Sequence, residues 1–322
     1  MKIGRTATSA RRGDGLSRIL EPGHIEAAAS APPFIHLPPA NLFDLRRVRL
    51  EHMAAGHPLA DYLRFAASLC QLQQGLLDQP PGICAPDPER IRLCLEHGLP
   101  PLAADSLVRE ADWQPYLEAL LQQYQASSEP VRAALAQLRA ASPGQRKVWA
   151  LALLGGQYAG LPAALVPFLG AALQVAWSHW LLSLPEDLLG PGDNLRQCPA
   201  CGSPAMAGVI RHRGKFNGLR YLVCSLCACE WHVVRVKCIY CEQSKGLRYY
   251  SFEDDRHPAG QAPLRAECCA GCNSYLKLVY LEHDAEAEAL SADLASLALD
   301  LRLDQEGYQR LAPNLLLAPG GD

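Results

Sequence analysis

The chain has 322 residues, 49% of them hydrophobic and 20% charged, with a formal net charge of −3. These values are typical of an ordinary soluble globular protein with room for two or three domains, and they argue against a small disulfide-stapled domain. Thirteen cysteines without a secretory signal indicate reduced thiols in a cytoplasm. Arg11 and Arg12 precede no apolar run, so a twin-arginine export signal is not expected.

The first half of the chain has helical periodicity. Residues 1–40 are rich in Ala, Gly, Pro and Arg, and they predict an irregular lead-in. From Asn41 onward, hydrophobic residues recur at helical spacing and predict an all-α domain over residues 41–190. The first such set is Leu42, Leu45, Val48, Leu50 and Met53. Later helical patterns cover Leu59 to Leu69, Arg90–His97, Trp113–Gln125 and Pro130–Ala141.

A long apolar run ends this helical half. No residue from Val148 to Leu184 carries a formal charge, and about 20 apolar residues are enough to cross a bilayer. Four glycines and two prolines interrupt the run, however. They predict two or three short helices packed as a buried hairpin, with no long uninterrupted helix and no membrane insertion. A groove that binds a partner is the alternative use of the same residues.

The second half of the chain has the texture of β-structure. Residues 189–193, Leu-Gly-Pro-Gly-Asp, predict a linker, and β-branched and aromatic runs then alternate with turns. These runs are Ala207–Ile210, Leu219–Val223, Trp231–Val236, Leu247–Phe252 and Tyr275–Leu281. They predict two rubredoxin-like or zinc-ribbon-like β modules, residues 195–236 and 237–283. The second module is an internal duplication of the first, and each consists of a Cys-x-x-Cys turn (a knuckle), a hairpin and a second knuckle.

Residues 284–322 return to helical spacing and end in a tail. The predicted helix has one apolar face, formed by Ala287, Leu290, Leu294, Leu297 and Leu301. The predicted fold class is therefore multi-domain α and β, with an N-terminal all-α domain, two metal-binding β modules and a C-terminal helix.

Four Cys-x-x-Cys pairs lie within the β modules, and two such pairs supply the four thiolates of one tetrahedral metal. The predicted metal ligands are Cys198, Cys201, Cys224, Cys227, Cys238, Cys241, Cys269 and Cys272. Gaps of 22 and 27 residues each fit a short hairpin. They favour one metal ion bound by the first and second pairs and another bound by the third and fourth. Interleaved pairing, first with third and second with fourth, would need crossed ribbons.

The residue after each pair bears on the knuckle geometry, because the turn favours a positive φ there. Gly202 suits this position best and Asn273 next best, while Ala228 and Glu242 suit it less well. Cys229 and Cys268 adjoin knuckles and could substitute as ligands, although a spare thiol is the simpler interpretation. The nearby histidines are interpreted as structural, and they are His212, His232, His257 and His283.

The donor set leaves the metal open between zinc and iron. Zinc would be structural, whereas iron would allow one-electron redox chemistry. Four thiolates leave no open coordination position, so hydrolytic catalysis is not expected. The chain contains no phosphate loop, nucleophile elbow or metalloprotease motif. The acidic run Glu253–Asp255 is interpreted as a solvated loop, and the chain is not expected to be an enzyme.

Charge is distributed unevenly along the chain. Residues 195–281 have a net charge of +6, and residues 282–322 have a net charge of −7. The basic modules could attract an acidic partner or pair with the chain's own tail. Nucleic-acid binding by a zinc-ribbon protein is a third hypothesis, which is not favoured because the basic residues are scattered.

Over residues 18–318 the chain resembles the FdhE family of formate dehydrogenase accessory proteins. The resemblance includes Phe43 to Leu50, the segment Gly56-His57-Pro58-Leu59 with Asp61-Tyr62, and Cys198-Pro199-Ala200-Cys201-Gly202. It continues at the end of the chain, from Asp293-Leu294-Ala295 through Asp300 to Glu306-Gly307-Tyr308.

This resemblance implies a cytoplasmic maturation factor for respiratory molybdenum- or tungsten-containing formate dehydrogenases. It implies binding to the catalytic subunit before export, and two rubredoxin-like metal sites with iron favoured and zinc as the alternative. The eight knuckle cysteines carry over as ligands. A rubredoxin-like electron-transfer or thiol-redox protein acting on that client is the alternative function. The oligomeric state is left open, with a homodimer among the options.

Overall fold

The computed structural model describes residues 32–81, 86–110, 113–185, 188–190, 194–212, 217–252 and 260–317. Most of the predicted lead-in lies outside these residues, as do the acidic run Glu253–Asp255, His257 and residues 191–193 of the predicted linker. From Pro33 onward the chain forms one compact unit. The main hydrophobic core of this unit contains residues of the helical half and of both β modules, and a smaller cluster lies between the second module and the C-terminal segment.

The first described element is a two-residue strand, β1, at Ile35–His36, within the segment predicted to be irregular. Eight α-helices follow it over the described part of the first half. They are α1 (Leu42–Ala54), α2 (Ala60–Asp78), α3 (Pro88–Glu96), α4 (Ala104–Glu110), α5 (Gln114–Gln123), α6 (Glu129–Ala140), α7 (Pro143–Leu154) and α8 (Val166–Leu182). The predicted helices over residues 90–97, 113–125 and 130–141 are confirmed to within a few residues.

Local sequence explains several helix starts. Asp87 caps α3 by accepting a hydrogen bond from the Glu89 N–H, and Ser142 caps α7 by accepting one from the Gln145 N–H. Pro88 and Pro143 occupy the first turns, where a missing N–H costs no helical bond.

The buried face of α1 differs from the face that hydrophobic spacing predicts. Leu45 and Val48 are 47% and 55% exposed, whereas Arg46 is buried. The Arg46 guanidinium pairs with Glu288 at 3.0 Å. Arg46 can face the core because Glu288 neutralises its charge. Glu288 is distant in sequence, so helical periodicity does not reveal this partner.

The apolar run contains a longer helix than predicted. α8 has 17 residues, 15 of them buried. The prediction of short helices alone was wrong because Pro167 lies in the first turn of α8, where proline is tolerated. Residues 163–182 are long and apolar enough to cross a membrane, but 89% of their most apolar window is buried inside the protein. In the structure this segment is a core helix.

The β half forms one continuous sheet. Its six main strands are β2 (Ala205–Ile210), β3 (Arg220–Cys224), β4 (Glu230–Val233), β5 (Leu247–Tyr250), β6 (Leu264–Cys269) and β7 (Ser274–Tyr280). The strand order is β1-β4-β3-β2-β7-β6-β5. Each module is an antiparallel three-stranded meander. The two meanders join through a parallel pairing of β2 with β7, in which Gly208 lies opposite Leu278.

The C-terminal segment forms two helices where one was predicted. These are α9 (Ala289–Ala295) and α10 (Leu297–Gln305), followed by the short strand β8 (Gln309–Arg310), which pairs with β7. The break at Ser296 changes the helical phase, so Leu301 is 61% exposed while Leu299 and Leu303 are buried. The Ser296 hydroxyl donates to the Ala292 carbonyl at 2.8 Å, a bond that competes with regular helix.

Candidate metal centres

The first centre consists of four thiols carried by the first β module. Cys198 and Cys201 lie in the turn before β2, Cys224 ends β3, and Cys227 lies in the turn before β4. The Sγ atoms of Cys198 and Cys227 are 3.6 Å apart, and those of Cys201 and Cys224 are 3.4 Å apart. All four residues are at most 1% exposed.

The second centre repeats this arrangement in the second module. Cys238 and Cys241 precede β5, Cys269 ends β6, and Cys272 lies in the turn before β7. The Sγ atoms of Cys238 and Cys272 are 3.7 Å apart, and those of Cys241 and Cys269 are 3.5 Å apart. Cys238 and Cys269 are buried, while Cys241 and Cys272 are partly exposed.

The two thiol sets fit a tetrahedral metal. A metal–sulfur bond of about 2.3 Å places tetrahedral sulfur atoms about 3.8 Å apart. In each set the ligand atoms lie within 4.8 Å of one another. The sulfur atoms are grouped as the hairpin spacing predicts, first pair with second and third pair with fourth. Each set could therefore bind one metal ion.

The backbone has the same special conformation after every pair. Gly202, Ala228, Glu242 and Asn273 have φ angles of +75°, +58°, +63° and +53°. Among the described residues, the last three are the only non-glycine positions with positive φ. All four knuckles therefore have the positive-φ turn that was expected for the first knuckle, which contains Gly202. Ala228 and Glu242 adopt this conformation although their residue types are poorly suited to it.

Local hydrogen bonds stabilise the first three knuckles. In the first knuckle the Gly202 N–H donates to the Cys198 carbonyl at 2.8 Å, and in the third the Glu242 N–H donates to the Cys238 carbonyl at 3.0 Å. In the second, the Leu226 N–H donates to the Cys224 sulfur at 3.4 Å. Such donation to sulfur stabilises a thiolate, which is the form that binds metals.

The thiols within each centre differ in acidity. Burial raises the pKa of Cys198, Cys224 and Cys227 well above its ordinary value. Burial also opposes ionisation of Cys201, but hydrogen bonds from its three neighbouring thiols outweigh it and hold the Cys201 pKa well below the ordinary value.

In the second centre burial raises the pKa of Cys238 to about 12. Burial acts in the same direction on Cys272, but hydrogen bonds led by the Ser274 hydroxyl lower the Cys272 pKa to about 7. Each centre therefore contains one thiol whose pKa is lowered, and a bound cation would favour ionisation of the thiols whose pKa burial raises.

The remaining candidate residues lie outside the two thiol sets. Cys229 and Cys268 are buried, and their thiols are directed to the backbone carbonyls of Glu230 and Ala266. The rings of His232 and His283 pack against Tyr221 and Tyr280. The structural roles of these residues stay a prediction.

The sheet contains buried ion pairs that no motif in the sequence indicates. Arg220 on β3 and Glu267 on β6 are 2.9 Å apart, and both are almost fully buried. Lys277 on β7 contacts Asp293 and Asp300 of the C-terminal helices at 3.0 and 2.6 Å. The one indication in the sequence is that Arg220 and Lys277 are charged residues within otherwise apolar strands. Basic residues of the modules thus pair with the chain's own acidic groups, the tail included.

The fold and the two thiol sets define a class of protein: a helical region joined to a sheet that carries two rubredoxin-like tetracysteine sites. Comparison with known proteins specifies the family. The sequence matches the models of the FdhE N-terminal region over residues 31–192, the FdhE central domain over 197–235 and the FdhE C-terminal domain over 236–317. The chain belongs to the FdhE family.

Its relatives include two FdhE homologues from Pseudomonas. That of Pseudomonas putida is 65% identical over 98% of this chain and 99% of its own length. That of Pseudomonas aeruginosa is 61% identical over 94% of this chain and 99% of its own length. The crystal structure of the FdhE protein from Pseudomonas aeruginosa superposes with a TM-score of 0.86, at 60% identity, over 90% of this chain and all of that one.

Proposed function

We propose that this protein is a cytoplasmic accessory factor that binds the catalytic subunit of a formate dehydrogenase during its maturation, and that the eight knuckle cysteines hold two metal ions. The observation that carries the proposal is the match of residues 31–317 to the FdhE family, together with two complete tetracysteine sets in one fold. The protein acts by binding and carries out no catalysis of its own.

The chemistry of the thiol sets supports a binding role. Four thiolates around one metal occupy every tetrahedral position, so a substrate has no place at the metal. Each metal would instead close a hairpin module that is too small to be stable alone. The basic side chains of Arg220 and Lys277 are buried and paired with acidic groups of the same chain. They are therefore not available to bind nucleic acid.

Client binding is tested by co-purification. The tagged chain is expressed in cells that make formate dehydrogenase, and the bound proteins are identified by mass spectrometry. Recovery of the catalytic subunit is expected with the wild type and with the matched variant Cys94→Ser, which changes a cysteine outside both centres. Absence of every formate dehydrogenase subunit from both samples would refute the proposed client.

Iron is the proposed metal in at least one centre. A tetrathiolate iron supplies one-electron transfer and a visible charge-transfer absorption, whereas zinc supplies neither. Protein purified without oxygen or chelator is expected to contain two metal equivalents, with iron among them and a coloured solution. Two equivalents of zinc in a colourless protein of full activity would overturn the choice of iron and leave the accessory role intact.

An electron-transfer role toward the same client is the second candidate. The partly exposed thiols of Cys241 and Cys272 favour it, because electron transfer requires a redox centre near the surface. Reversible reduction of the iron, monitored by its visible bands while client activity is followed, tests this role. Full activity of the zinc-substituted protein would exclude it.

A further inference from the structure

The helical half encloses the first centre. The Leu102 and Ala104 N–H groups donate to the carbonyls of Ala200 and Cys201 at 2.8 and 2.9 Å, so the segment leading into α4 holds the first knuckle. The indole N–H of Trp177 on α8 in turn donates to the Leu102 carbonyl at 3.0 Å. Loss of the first knuckle would therefore leave donors of the helical half without partners in the core.

The second knuckle of this centre is held by α8 directly. The Gln174 side-chain amide donates to the Ser225 carbonyl at 2.9 Å, and the Ser178 hydroxyl donates to the Cys227 carbonyl at 3.4 Å. The four cysteines of the first centre belong to the same hydrophobic core as the helices. Cys198 borders a surface cavity, but all four cysteines are at most 1% exposed, so an external ligand reaches their sulfur atoms only after local opening of the structure.

The second centre has a different environment. Its four cysteines belong to neither hydrophobic cluster identified among the described residues. In the residues that the structure describes, the backbone hydrogen bonds of its knuckles come from the second module and from Gln309, whose N–H donates to the Asn273 carbonyl at 2.7 Å. Helices α1 to α8 contribute none of them.

Equivalent knuckle positions show the same contrast. Ala200, inside the first Cys-x-x-Cys pair, is 0% exposed, whereas Tyr240, at the matching position of the third pair, is 55% exposed. Leu226 of the second pair is 1% exposed, while Gly271 of the fourth pair is exposed to solvent. The duplicated module thus places one centre in the core and the other at the surface.

We infer that the two centres have different roles: the first is a permanent cross-link between helices and sheet, and the second is an exchange site, open to external thiol and chelating ligands. Such ligands are soft sulfur donors or small multidentate nitrogen and oxygen donors, which compete for thiolate-bound metals. This inference depends on metal binding by both thiol sets, and it holds whether or not formate dehydrogenase is the client.

Exchange at the second centre requires no oxidant or reductant. With a metal bound, an incoming thiol would form a metal–sulfur bond as the bond between the metal and Cys241 or Cys272 broke. The proton of the incoming thiol would pass, through solvent, to the released cysteine. Atoms, charge and electrons balance, and the metal keeps its oxidation state. The partial exposure of these two cysteines provides the approach that the first centre lacks.

The test is metal release from the intact, metal-loaded protein. Zinc-loaded full-length protein is mixed with excess 4-(2-pyridylazo)resorcinol, a coloured chelator, and its absorbance is followed. We expect two phases of one equivalent each, with rates that differ by at least about tenfold, which corresponds to a barrier difference of about 1.4 kcal/mol. The variant Cys238→Ser with Cys241→Ser is expected to lose the fast phase and keep the slow one.

Alkylation of the wild-type protein provides a test that needs no variant. During brief exposure to iodoacetamide and chelator, peptides containing Cys241 and Cys272 are expected to be modified before those containing Cys201 and Cys224. Release of both equivalents at one rate, or first modification of the first-centre peptides, would overturn the inference. Both measurements use purified protein alone, so their failure is distinguishable from failure to bind formate dehydrogenase.

Discussion

The guanidinium of Arg220 lies 2.9 Å from the carboxylate of Glu267, although their strands β3 and β6 are separated in the sheet by β2 and β7. The same guanidinium donates to the carbonyls of Arg235 and Lys237 in the segment that connects the two modules. The β2 position between these strands is Gly208, where a Cβ atom would lie 3.7 Å from the Arg220 Nε and 2.7 Å from the Leu278 side chain. One ion pair therefore joins both modules and their connection.

Replacement of Glu267 by Leu is expected to destabilise the protein strongly. Removal of one partner leaves a buried guanidinium without its counter-charge, a change that typically costs about 3–5 kcal/mol. Urea unfolding followed by circular dichroism measures the loss. The double replacement Arg220→Met with Glu267→Leu is the matched control, and it should recover most of the stability because no charge is left unpaired. A single variant as stable as the wild type would show that the pair contributes little.

Replacement of Gly170 by Ala tests the packing of α8 against the C-terminal segment. A Cβ atom at Gly170 would lie 1.9 Å from the Leu315 carbonyl oxygen, so the backbone would have to move. We expect a loss of roughly 1–3 kcal/mol, as for other overpacked cores. Gly75→Ala within α2 is the control, because nothing lies within 4 Å of its Cβ position. It should stabilise the protein by about 0.5–1 kcal/mol. Equal effects of the two variants in urea unfolding would contradict this packing.

Local motifs could be predicted from the sequence, whereas contacts between distant parts of the chain could not. The metal-site grouping was predictable because a Cys-x-x-Cys pair is a local motif and a short gap leaves few ways to pair two of them. The helices with capping residues such as Asp87 and Ser142 were predictable for the same local reason. The close approach of Gly170 to Leu315 and the pairing of Arg46 with Glu288 join distant parts of the chain, and no periodicity signals either one.

One strand of the second module could not be predicted from the sequence for the same reason. Strand β6, Leu264–Cys269, was not among the predicted strands because Arg265 and Glu267 interrupt its apolar pattern. Its structure explains both charges, since Glu267 pairs with Arg220 and Arg265 stacks on the Tyr280 ring at 4.0 Å. A polar residue in a strand has a physical reason that becomes visible only with its partner.

Glu242→Gly is expected to raise the melting temperature. The φ of +63° at Glu242 is unfavourable for a residue with a Cβ atom and natural for glycine. The ion pairs of Glu242 with Lys237 and Arg196 are exposed, so their loss should lower the free energy of unfolding only slightly. Gly202→Ala is the reciprocal control and should lower the melting temperature, because it places a Cβ at φ +75°. A fall in melting temperature with Glu242→Gly would indicate that the surface ion pairs outweigh the backbone strain.

Acid unfolding is expected to depend on Asp293. Burial opposes the charge of this carboxylate, but Arg310 and Lys277 outweigh burial and lower its pKa from the ordinary 3.8 to about 2. Because the folded-state pKa is the lower one, the stabilisation is complete above pH 3.8 and is lost as the pH falls toward 2. It amounts to about 2 kcal/mol by linkage.

The measurement is the free energy of unfolding of wild type and Asp293→Asn at several pH values from 6 to 2. The difference between the two proteins should shrink as the pH falls through this window. Metal loss in acid affects both proteins alike and so cancels from the difference. A difference that stays constant with pH would exclude a titrating Asp293.

The two centres are expected to contribute unequally to stability. Paired serine replacements at Cys198 and Cys201, or at Cys238 and Cys241, should each reduce the metal content from two equivalents to one, measured by elemental analysis. The first pair should lower the unfolding midpoint much further, since the carbonyls of Ala200 and Cys201 accept hydrogen bonds from the helical half. The second pair should leave the helical signal in circular dichroism almost unchanged, because the four cysteines of the second centre do not belong to the shared core, although Ile239 of the third knuckle packs against it. Retention of two metals by either variant would refute the ligand assignment, and equal loss of stability would contradict the structural difference between the centres.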